Sequence, residues 1–315
     1  MRICITGASG FLGSWTAQVL SEDFEVFAIT RADSSIEKLE SNGKISVISK
    51  DFENWASSIN KLAPDVLIMH DWQGVGNSDR NSASQYSNVE RIKTFVKRLN
   101  PIQQVIGVGS QAELGPRNDE ILEKDISAPT TDYGRAKCEA RDFLINHFRN
   151  SGTNFKWARI FSTYGAMDSG NWLIPNLVRS LNLEKPFPLT EGNQEWNYLH
   201  AFDAAEAFRI LSLAGDPGIY NIGHTKNSII RDVCNEIAFI MGKNHELLKF
   251  GDIPMRPDQV YKLWVSTSKL QNLGWQPKVN LSEGLTHTIN WVCKKKLSPI
   301  SLNDGSEINF DKFLL

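Results

Sequence analysis

The stretch TGASGFLG, residues 6–13, has glycines at positions 7, 10 and 13 and directly follows the apolar run Ile3-Cys4-Ile5. A strand that turns tightly into a helix needs glycine wherever its backbone must approach a ligand or another turn closely. The amphipathic residues 14–20 follow at once. The stretch therefore predicts a strand, a turn and a helix whose N-terminus binds phosphate. A glycine-rich turn by itself is also compatible with a tight connection that binds nothing.

Short segments rich in β-branched residues recur through the first half of the chain, and longer periodic segments separate most of them. The predicted strands are residues 2–5, 25–30, 45–48, 66–69, 104–108 and 156–160. This alternation is typical of the α/β class and predicts a doubly wound parallel sheet of the Rossmann type. In such a sheet the first strand-to-helix turn binds the pyrophosphate of a dinucleotide.

Composition excludes several classes of function. The 315 residues carry 36 acids and 34 bases, a net charge of −2, so no broad field attracts nucleic acid or an anionic membrane. The four cysteines are scattered without metal-site spacing, and no apolar run approaches the roughly 20 residues of a membrane span. Met1 leads directly into a predicted strand. We therefore expect no metal, no signal peptide and a cytoplasmic location.

The segment TDYGRAK, residues 131–137, carries the candidate chemistry. Tyr133 and Lys137 are four positions apart, so on a helix they project from one face. An ammonium beside a phenol favours the phenolate and lowers a pKa that starts near about 10. Upstream, VIGVGS at residues 105–110 reads as a strand ending in the hydroxyl of Ser110, at the sheet edge where ligands bind. Each signal alone also fits an ordinary helix face or strand end, but together they predict an active site.

These motifs resemble those of the extended short-chain dehydrogenase/reductases, the NAD(P)-dependent sugar-nucleotide epimerase/dehydratase family. The resemblance covers about residues 1–292. The further matching segments are Ser110 with Gly115, RIFSTYG at 159–165, QEWNYLHAFD at 194–203, GIYNIG at 218–223 and LGWQP at 273–277.

The resemblance implies a role for each of these residues. Tyr133 would be the general acid/base, Lys137 would also hold the nicotinamide ribose, and Ser110 would hydrogen-bond the reacting oxygen. Asp51 and Phe52 resemble the pair that contacts adenine. The predicted cofactor-binding residues are Gly7, Ser9, Gly10, Phe11, Leu12, Arg31, Asp51, Phe52, Tyr133 and Lys137.

Arg31 bears on the choice of cofactor. It follows the second predicted strand, where an NAD-preferring relative carries an acid against the ribose 2′-hydroxyl. A guanidinium suits a 2′-phosphate instead, and no acid of this segment precedes Asp33. We therefore expect NADP(H) in preference to NAD(H), with reduction as the favoured direction. The alternative is that Arg31 is a surface residue at the start of a loop.

The residues after Ser110 bear on the reaction. Sugar-nucleotide 4,6-dehydratases carry an Asp-Glu pair there, because elimination of water needs its own acid and base. This chain has Gln111 and Ala112, and neither exchanges a proton readily. Glu113 lies one position further on and can be interpreted as a displaced acid, but a shift of one residue turns a side chain to the other side. Dehydration is therefore not expected.

The predicted substrate pocket includes residues that depart from the family pattern. After the fourth strand many relatives have small residues where this chain has Asp71 and Trp72, so we expect both to shape the pocket; alternatively, Trp72 packs under the loop of residues 74–76. His70 is expected to be structural. Trp196 replaces an arginine of many relatives, which removes one phosphate contact or substitutes stacking for it. The predicted substrate-binding residues are Asp71, Trp72, Gln111, Ser162, Leu173, Trp196 and Arg256.

The chain is expected to divide into a Rossmann domain and a smaller C-terminal substrate-binding lobe. The predicted boundaries are 1–165 and 196–223 for the NADP-binding domain, 166–195 and 224–292 for the sugar-nucleotide-binding lobe, and 293–315 for a tail. The polar run at 298–305 within the tail reads as a loop. By resemblance, the helices around residues 82–99 and 131–148 would form a homodimer interface.

The predicted function is the NADPH-dependent reduction of a 4-keto-6-deoxy sugar nucleotide in deoxysugar biosynthesis. Hydride would reach the carbonyl carbon while Tyr133 protonates the oxygen and Ser110 orients it. One alternative is a sugar-nucleotide 4-epimerase that retains NAD, against which Arg31 argues. Another is a dinucleotide-sensing binding protein without catalysis, against which intact Ser110, Tyr133 and Lys137 argue.

Overall fold

A seven-stranded parallel sheet forms the centre of the molecule. The computed structural model describes residues 1–40, 43–255, 260–297 and 299–308. The strands are Arg2–Thr6 (β1), Glu25–Thr30 (β2), Ile45–Ser49 (β3), Val66–Met69 (β4), Gln104–Ser110 (β5), Asn154–Ile160 (β6), Ser162–Tyr164 (β7), Phe187–Leu189 (β8), Glu195–Trp196 (β9), Tyr198–His200 (β10), Gly218–Ile222 (β11), Ser228–Ile229 (β12), Leu248–Phe250 (β13), Ile300–Ser301 (β14) and Glu307–Ile308 (β15). The central sheet has the order β11-β6-β5-β4-β1-β2-β3, and all six of its pairings are parallel.

Helices cover both faces of this sheet. They are Phe11–Leu20 (α1), Glu37–Glu40 (α2), Trp55–Leu62 (α3), Gln85–Val96 (α4), Asp132–Phe148 (α5), Leu173–Asn182 (α6), Ala201–Leu213 (α7), Ile230–Ile240 (α8), Ser268–Gln271 (α9) and Leu281–Val292 (α10). The doubly wound α/β fold predicted from the sequence is confirmed. The strand order reverses between β1 and β4, which is where such sheets bind ligands.

Two hydrophobic clusters sandwich the sheet. On one face, Trp15 of α1 and Phe208 of α7 are buried against β1 and its neighbours. On the other face, Trp55, Leu144 and Trp157 belong to the cluster under α3, α4 and α5. Burial of such large side chains contributes on the order of 1.5–3 kcal/mol each to the stability of the fold. The packing therefore stabilises both helix layers against the sheet.

A third cluster lies among the elements of the second half. Leu177 of α6, Val233 and Ile237 of α8 and Leu285 of α10 are buried together. These helices come from the segments assigned above to a substrate-binding lobe. The exact division of the chain into two domains stays a prediction.

The tail differs from its predicted loop. Strands β14 and β15 pair antiparallel, with Ile300 opposite Ile308, and Gly305 has a φ of 81°. Ile300 and Leu302 are buried in the first cluster. The prediction of a loop was wrong because alternating apolar residues in this polar run reach the core, which composition alone does not reveal.

None of the helices in the described parts of the chain is long and apolar enough to cross a membrane. Helices α4 and α5, which were predicted to form the dimer interface, pack against each other. The homodimer stays a prediction. The cytoplasmic location also stays a prediction.

Candidate active site

The glycine-rich turn between β1 and α1 lies against the loop that follows β4. Gly7 has a φ of 66°, and a Cβ there would lie 2.7 Å from the backbone nitrogen of Asp71. A Cβ on Gly13 would lie 2.2 Å from the carbonyl oxygen of Gly7. Larger residues therefore do not fit at either position. Gly10 is the N-cap of α1 and makes no side-chain cap, which leaves the N–H groups of the first turn for an anion.

A cavity of about 410 Å³ adjoins this turn and reaches the ends of β2 and β4. Its lining includes Gly7, Ser9, Gly10, Arg31, Ser34 and Asp71. Phe11 and Leu12 begin α1 beside it. Backbone donors, a hydroxyl and a guanidinium around one cavity fit the pyrophosphate and ribose of a dinucleotide. The structure thus brings together the glycine-rich turn and Arg31, as the sequence predicted.

Arg31 directly follows β2 and is exposed. Its Nε lies 3.6 Å from Oδ1 of Asp33, so an acid contacts this guanidinium from the following loop. Ser34 also lines the cavity. The hydroxyl of Thr30, by contrast, is hydrogen-bonded to Ser49 at 2.9 Å. The structure leaves Arg31 and Ser34 as the polar side chains near the end of β2 that can meet a ribose substituent.

Arg91 of α4 joins Phe52, one of the two residues predicted near adenine, to Asp71 at the cavity. Its guanidinium lies 4.4 Å from the ring centroid of Phe52 and donates to Asp71 at 2.9 Å. Burial raises the pKa of Asp71, and the positive charge of Arg91 opposes that rise. Asp51 is the exposed residue just before Phe52. No local pattern singles out Arg91, because arginine is common on exposed helix faces.

Ser110 and Tyr133 meet at the end of β5. The Ser110 hydroxyl interacts with the Tyr133 phenol and favours its ionised form, and the Ser110 Oγ accepts from the backbone nitrogen of Ala112 at 3.3 Å. Tyr133 lies in the first turn of α5, whose N-cap Thr131 accepts from the nitrogen of Gly134 at 3.1 Å. The predicted helix is present, and it brings Tyr133 to Ser110, the two residues predicted to act on one substrate oxygen.

Lys137 lies one turn further along α5 and is 4% exposed. Its Nζ donates to the carbonyl oxygen of Val108 at 2.8 Å. The same Nζ lies 3.8 Å from the ring centroid of Trp72 and 5.8 Å from that of Tyr133. Trp72 therefore covers the ammonium and also lines the cavity beside the glycine-rich turn. Its role in shaping the substrate pocket stays a prediction.

The protonation states differ from the sequence-based expectation. Burial raises the pKa of Tyr133, although its hydrogen bond with Ser110 opposes the rise. Burial also lowers the pKa of Lys137 to about 7. Burial thus outweighs the lowering of the phenol's pKa that Lys137 was expected to produce, because a buried site favours the neutral form of each group.

Glu113 forms a buried ionic network that sequence reasoning missed. Its carboxylate accepts from Ser110 N at 2.8 Å and from Trp157 Nε1 at 3.0 Å. It also accepts from Arg141 Nη1 at 3.0 Å and Arg159 Nε at 3.4 Å. Glu113 and Arg159 are fully buried. The interpretation of Glu113 as a displaced acid is therefore excluded by geometry, since every contact of its carboxylate faces the protein.

The predicted substrate residue Leu173 begins α6. The residue before it, Trp172, has its ring 5.7 Å from the guanidinium of Arg80, which lies 5.6 Å from the ring of Tyr133. The backbone of Tyr133 also donates to Arg80 O at 2.8 Å. Arg80 thus links the start of α6 to Tyr133.

The remaining predicted substrate residues lie in several elements. Gln111 follows Ser110, and its Oε1 is buried without a hydrogen-bond partner among the described residues. Ser162 lies in β7 opposite Tyr198 of β10. Trp196 lies in β9 and packs against the small cluster that contains Leu114 and Phe161. Arg256 lies outside the described residues.

His70 is a structural histidine, as predicted. Its Nε2 lies 3.1 Å from the Thr16 hydroxyl, and its ring packs edge-on to Phe208 with centroids 4.6 Å apart. Burial lowers its pKa to about 3, so it is neutral. Within the parts of the chain that the structure describes, no group of three or more His, Cys, Asp or Glu side chains could hold a metal ion.

An anion-binding turn and a hydroxyl, phenol and ammonium at the same edge of one parallel sheet define a class of protein, the extended short-chain dehydrogenase/reductases. More particularly, the chain belongs to the NAD dependent epimerase/dehydratase family, whose model matches residues 3–223. The proteins of this family are enzymes, and this chain is one of them.

Curated relatives cover nearly the whole chain. A trifunctional UDP-glucose 4,6-dehydratase/UDP-4-keto-6-deoxy-D-glucose 3,5-epimerase/UDP-4-keto-L-rhamnose-reductase of Arabidopsis thaliana is 25% identical, and the match covers 92% of this chain and 47% of the plant protein. The chain thus spans about half the length of the plant relatives it matches. The dTDP-D-glucose 4,6-dehydratase of Mus musculus is 24% identical over 93% of this chain and 89% of the mouse protein.

Solved structures share the fold at low identity. The UDP-glucuronic acid 4-epimerase of Bacillus cereus, in complex with UDP-glucuronic acid and NAD, superposes with a TM-score of 0.81 at 20% identity, over 93% of this chain and 99% of that one. The dTDP-glucose 4,6-dehydratase of Bacillus anthracis in complex with NAD has a TM-score of 0.77 at 20% identity, over 93% and 97% of the two chains.

Proposed function

We propose that this enzyme reduces the keto group of a 4-keto-6-deoxy sugar nucleotide with NADPH. The observation that carries the proposal is the meeting of the Ser110 hydroxyl with the Tyr133 phenol in a site where residues 111–113 offer no carboxylate to a substrate. Such a pair can bind and protonate a carbonyl oxygen. Residues 111–113 supply no acid and base with which to eliminate water.

The protonation state of Tyr133 supports the direction of the reaction. Burial raises the pKa of this phenol, so it holds its proton at neutral pH. A group that must donate a proton to a developing alkoxide needs that form, whereas oxidation of an alcohol needs the phenolate first. In the proposed reaction Ser110 Oγ orients the carbonyl oxygen, and Tyr133 gives it a proton.

The dinucleotide would occupy the cavity beside the glycine-rich turn. Gly7, Ser9 and the first turn of α1 would hold the pyrophosphate, while Arg31 and Ser34 would meet the 2′-phosphate. The reduced nicotinamide supplies the hydride when bound. Arg31 supports NADPH because its guanidinium lines the cavity at the end of β2.

Gln111 supports a sugar-nucleotide substrate. Its Oε1 is buried without a hydrogen-bond partner in the described parts of the chain. A buried acceptor that receives no hydrogen bond costs about 1–3 kcal/mol. A sugar hydroxyl beside the reacting carbon would satisfy it. Ser162, Leu173, Trp196 and Arg256 stay predicted contacts of the same substrate.

A 4-epimerase is the second candidate. The superposition on the UDP-glucuronic acid 4-epimerase favours it, because such enzymes use the same hydroxyl, phenol and lysine. An epimerase needs a cofactor that is retained and recycled, and oxidation as its first step. Arg31, which lines the cavity, argues against a retained NAD.

The test is an assay of NADPH oxidation with dTDP- and UDP-linked 4-keto-6-deoxyhexoses. We expect turnover, with kcat/KM for NADPH above that for NADH by about ten- to a hundredfold. Arg31→Asp should reverse this preference, and Arg31→Ala should reduce it. The matched substrate control is dTDP-glucose, which should give no 4-keto product. Dehydration, or interconversion of 4-epimers by enzyme with tightly bound NAD, would contradict the proposal.

A further inference from the structure

The indole of Trp72 is held rigidly over the ammonium of Lys137. The distance from Lys137 Nζ to the ring centroid is 3.8 Å. On its other edge the indole Nε1 donates to Oε1 of Gln85 at 2.8 Å. The Gln85 amide is itself fixed, since it donates to the carbonyl oxygens of Gly74 at 2.6 Å and Asp79 at 3.0 Å. The ring face is therefore presented to Lys137 by a chain of hydrogen bonds.

Lys137 has few other groups that favour its charged form. The carboxylates whose charges act on it are those of Asp71, from the loop after β4, and Glu113, from the turn after β5. Asp71 is paired with Arg91, and Glu113 with Arg141 and with Arg159 of β6. No salt bridge to Lys137 occurs among the described residues.

Two neutral groups complete the surroundings of this ammonium. Tyr133 lies on the same helix, and His70, from the loop after β4, is uncharged at neutral pH. Burial lowers the pKa of Lys137 to about 7. At neutral pH the side chain therefore lies close to the point at which it loses its charge.

The face of an aromatic ring attracts a cation electrostatically, and a neutral amine lacks the charge for this attraction. Among the aromatic side chains, tryptophan attracts a cation most strongly. The effect is larger in a site from which water is excluded. We propose that Trp72 is a positioning residue that keeps Lys137 charged beside Tyr133 and so sets the pH range in which the phenol works. This inference rests on the proposed function for its catalytic part only.

The charge of Lys137 can be measured without any substrate. Lysine labelled with ¹³C at Cε reports its own titration by NMR, and Lys137→Met assigns the signal by removing it. We expect Trp72→Leu to move the titration of Lys137 downwards by about one pH unit, a tenfold change. Replacement of Trp72 by a ring-fluorinated tryptophan, which keeps the shape and weakens the ring's attraction for a cation, should move it in the same direction.

A matched control is available in the second half of the chain. Lys262 Nζ lies 5.0 Å from the ring of exposed Trp264, so Trp264→Leu removes another lysine–tryptophan pair and should leave Lys137 unchanged. An unchanged or raised titration of Lys137 in the fluorinated protein would overturn the proposal, whether or not Trp72→Leu folds.

Activity measurements then test the link to Tyr133. With a substrate that is turned over, the alkaline limb of kcat/KM should move down with the titration of Lys137, by about one pH unit in Trp72→Leu. A limb that stays in place while the titration moves would overturn that link. Failure of every keto substrate alongside a shifted titration would instead remove the proposed reductase activity and leave the role of Trp72 in charging Lys137 intact.

Discussion

Replacement of Glu113 by glutamine should test whether the buried network below Ser110 holds the site together. The carboxylate accepts four hydrogen bonds, from Ser110 N, Trp157 Nε1, Arg141 Nη1 and Arg159 Nε. Glutamine has nearly the same shape, but it carries no charge and its amide nitrogen cannot accept. The substitution therefore leaves the two guanidinium groups without their shared anion.

The size of the loss follows from burial. Arg159 and Glu113 are fully buried, and Arg141 is 9% exposed. Removal of one partner of a buried ion pair costs about 3–5 kcal/mol, because the other charge stays in the interior without compensation. Arg141 keeps a second contact with exposed Asp142, so most of the loss comes from Arg159. Against a typical free energy of unfolding of about 5–15 kcal/mol, this loss is large.

Urea denaturation of the variant and the wild type measures the difference, provided that their m-values agree. The control is Glu139→Gln, which removes a carboxylate on exposed α5 surface that accepts from Lys93 at 2.8 Å and should cost under about 1 kcal/mol. The double variant Glu113→Gln with Arg159→Met should lose less than the sum of its two single variants. A loss below about 1 kcal/mol for Glu113→Gln would refute this account of the network.

Two further predictions concern the phenol and the buried histidines. Tyr133→Phe should lower kcat by roughly 10²-fold or more, the usual scale for a lost general acid, with cofactor binding retained in a fluorescence titration; undiminished turnover would remove Tyr133 from the mechanism. Burial lowers the pKa of His70 to about 3 and that of His287 to about 4, so the unfolded chain takes up protons below about pH 6.5 that the folded chain does not, and stability falls as pH falls. When the pH is lowered from about 7.5 to about 5, the free energy of unfolding of His70→Gln should therefore fall by about 2 kcal/mol less than that of wild type, as measured by urea denaturation. Equal falls would mean that His70 is not held neutral.

The sheet could be predicted from the sequence because its strands are short, β-branched and bounded by turn residues. The strand predicted at residues 2–5 is observed at Arg2–Thr6, and the strand predicted at residues 104–108 is observed at Gln104–Ser110. The site motifs could be placed for the same reason, since the carboxyl ends of parallel strands meet at one edge. Local patterns thus sufficed for the pairing of Ser110 with Tyr133.

Contacts that join distant segments could not be predicted in this way. The Glu113 network depends on the register of β5 with β6, in which Gly109 lies opposite Arg159. A Cβ on Gly109 would lie 2.5 Å from Oε1 of Glu113, so this glycine makes room for the carboxylate. Nothing in the local sequence of any of these residues indicates the other two.

Helix α5 connects Ser110, Trp72 and Glu113, because each of them contacts a residue on one face of the helix. Tyr133, Lys137 and Arg141 follow one another at intervals of four residues and so lie along one face of the helix. Ser110 binds the first, Trp72 covers the second, and Glu113 binds the third.

The backbone of α5 also packs closely against its surroundings. A Cβ on Gly134 would lie 2.3 Å from the carbonyl oxygen of Ala112, so the first turn of α5 packs directly on the turn that follows Ser110. The position of α5 is thus fixed by a glycine contact and by the contacts of Tyr133, Lys137 and Arg141. Glu113 and Trp72 are both joined to the helix that carries Tyr133, the predicted acid.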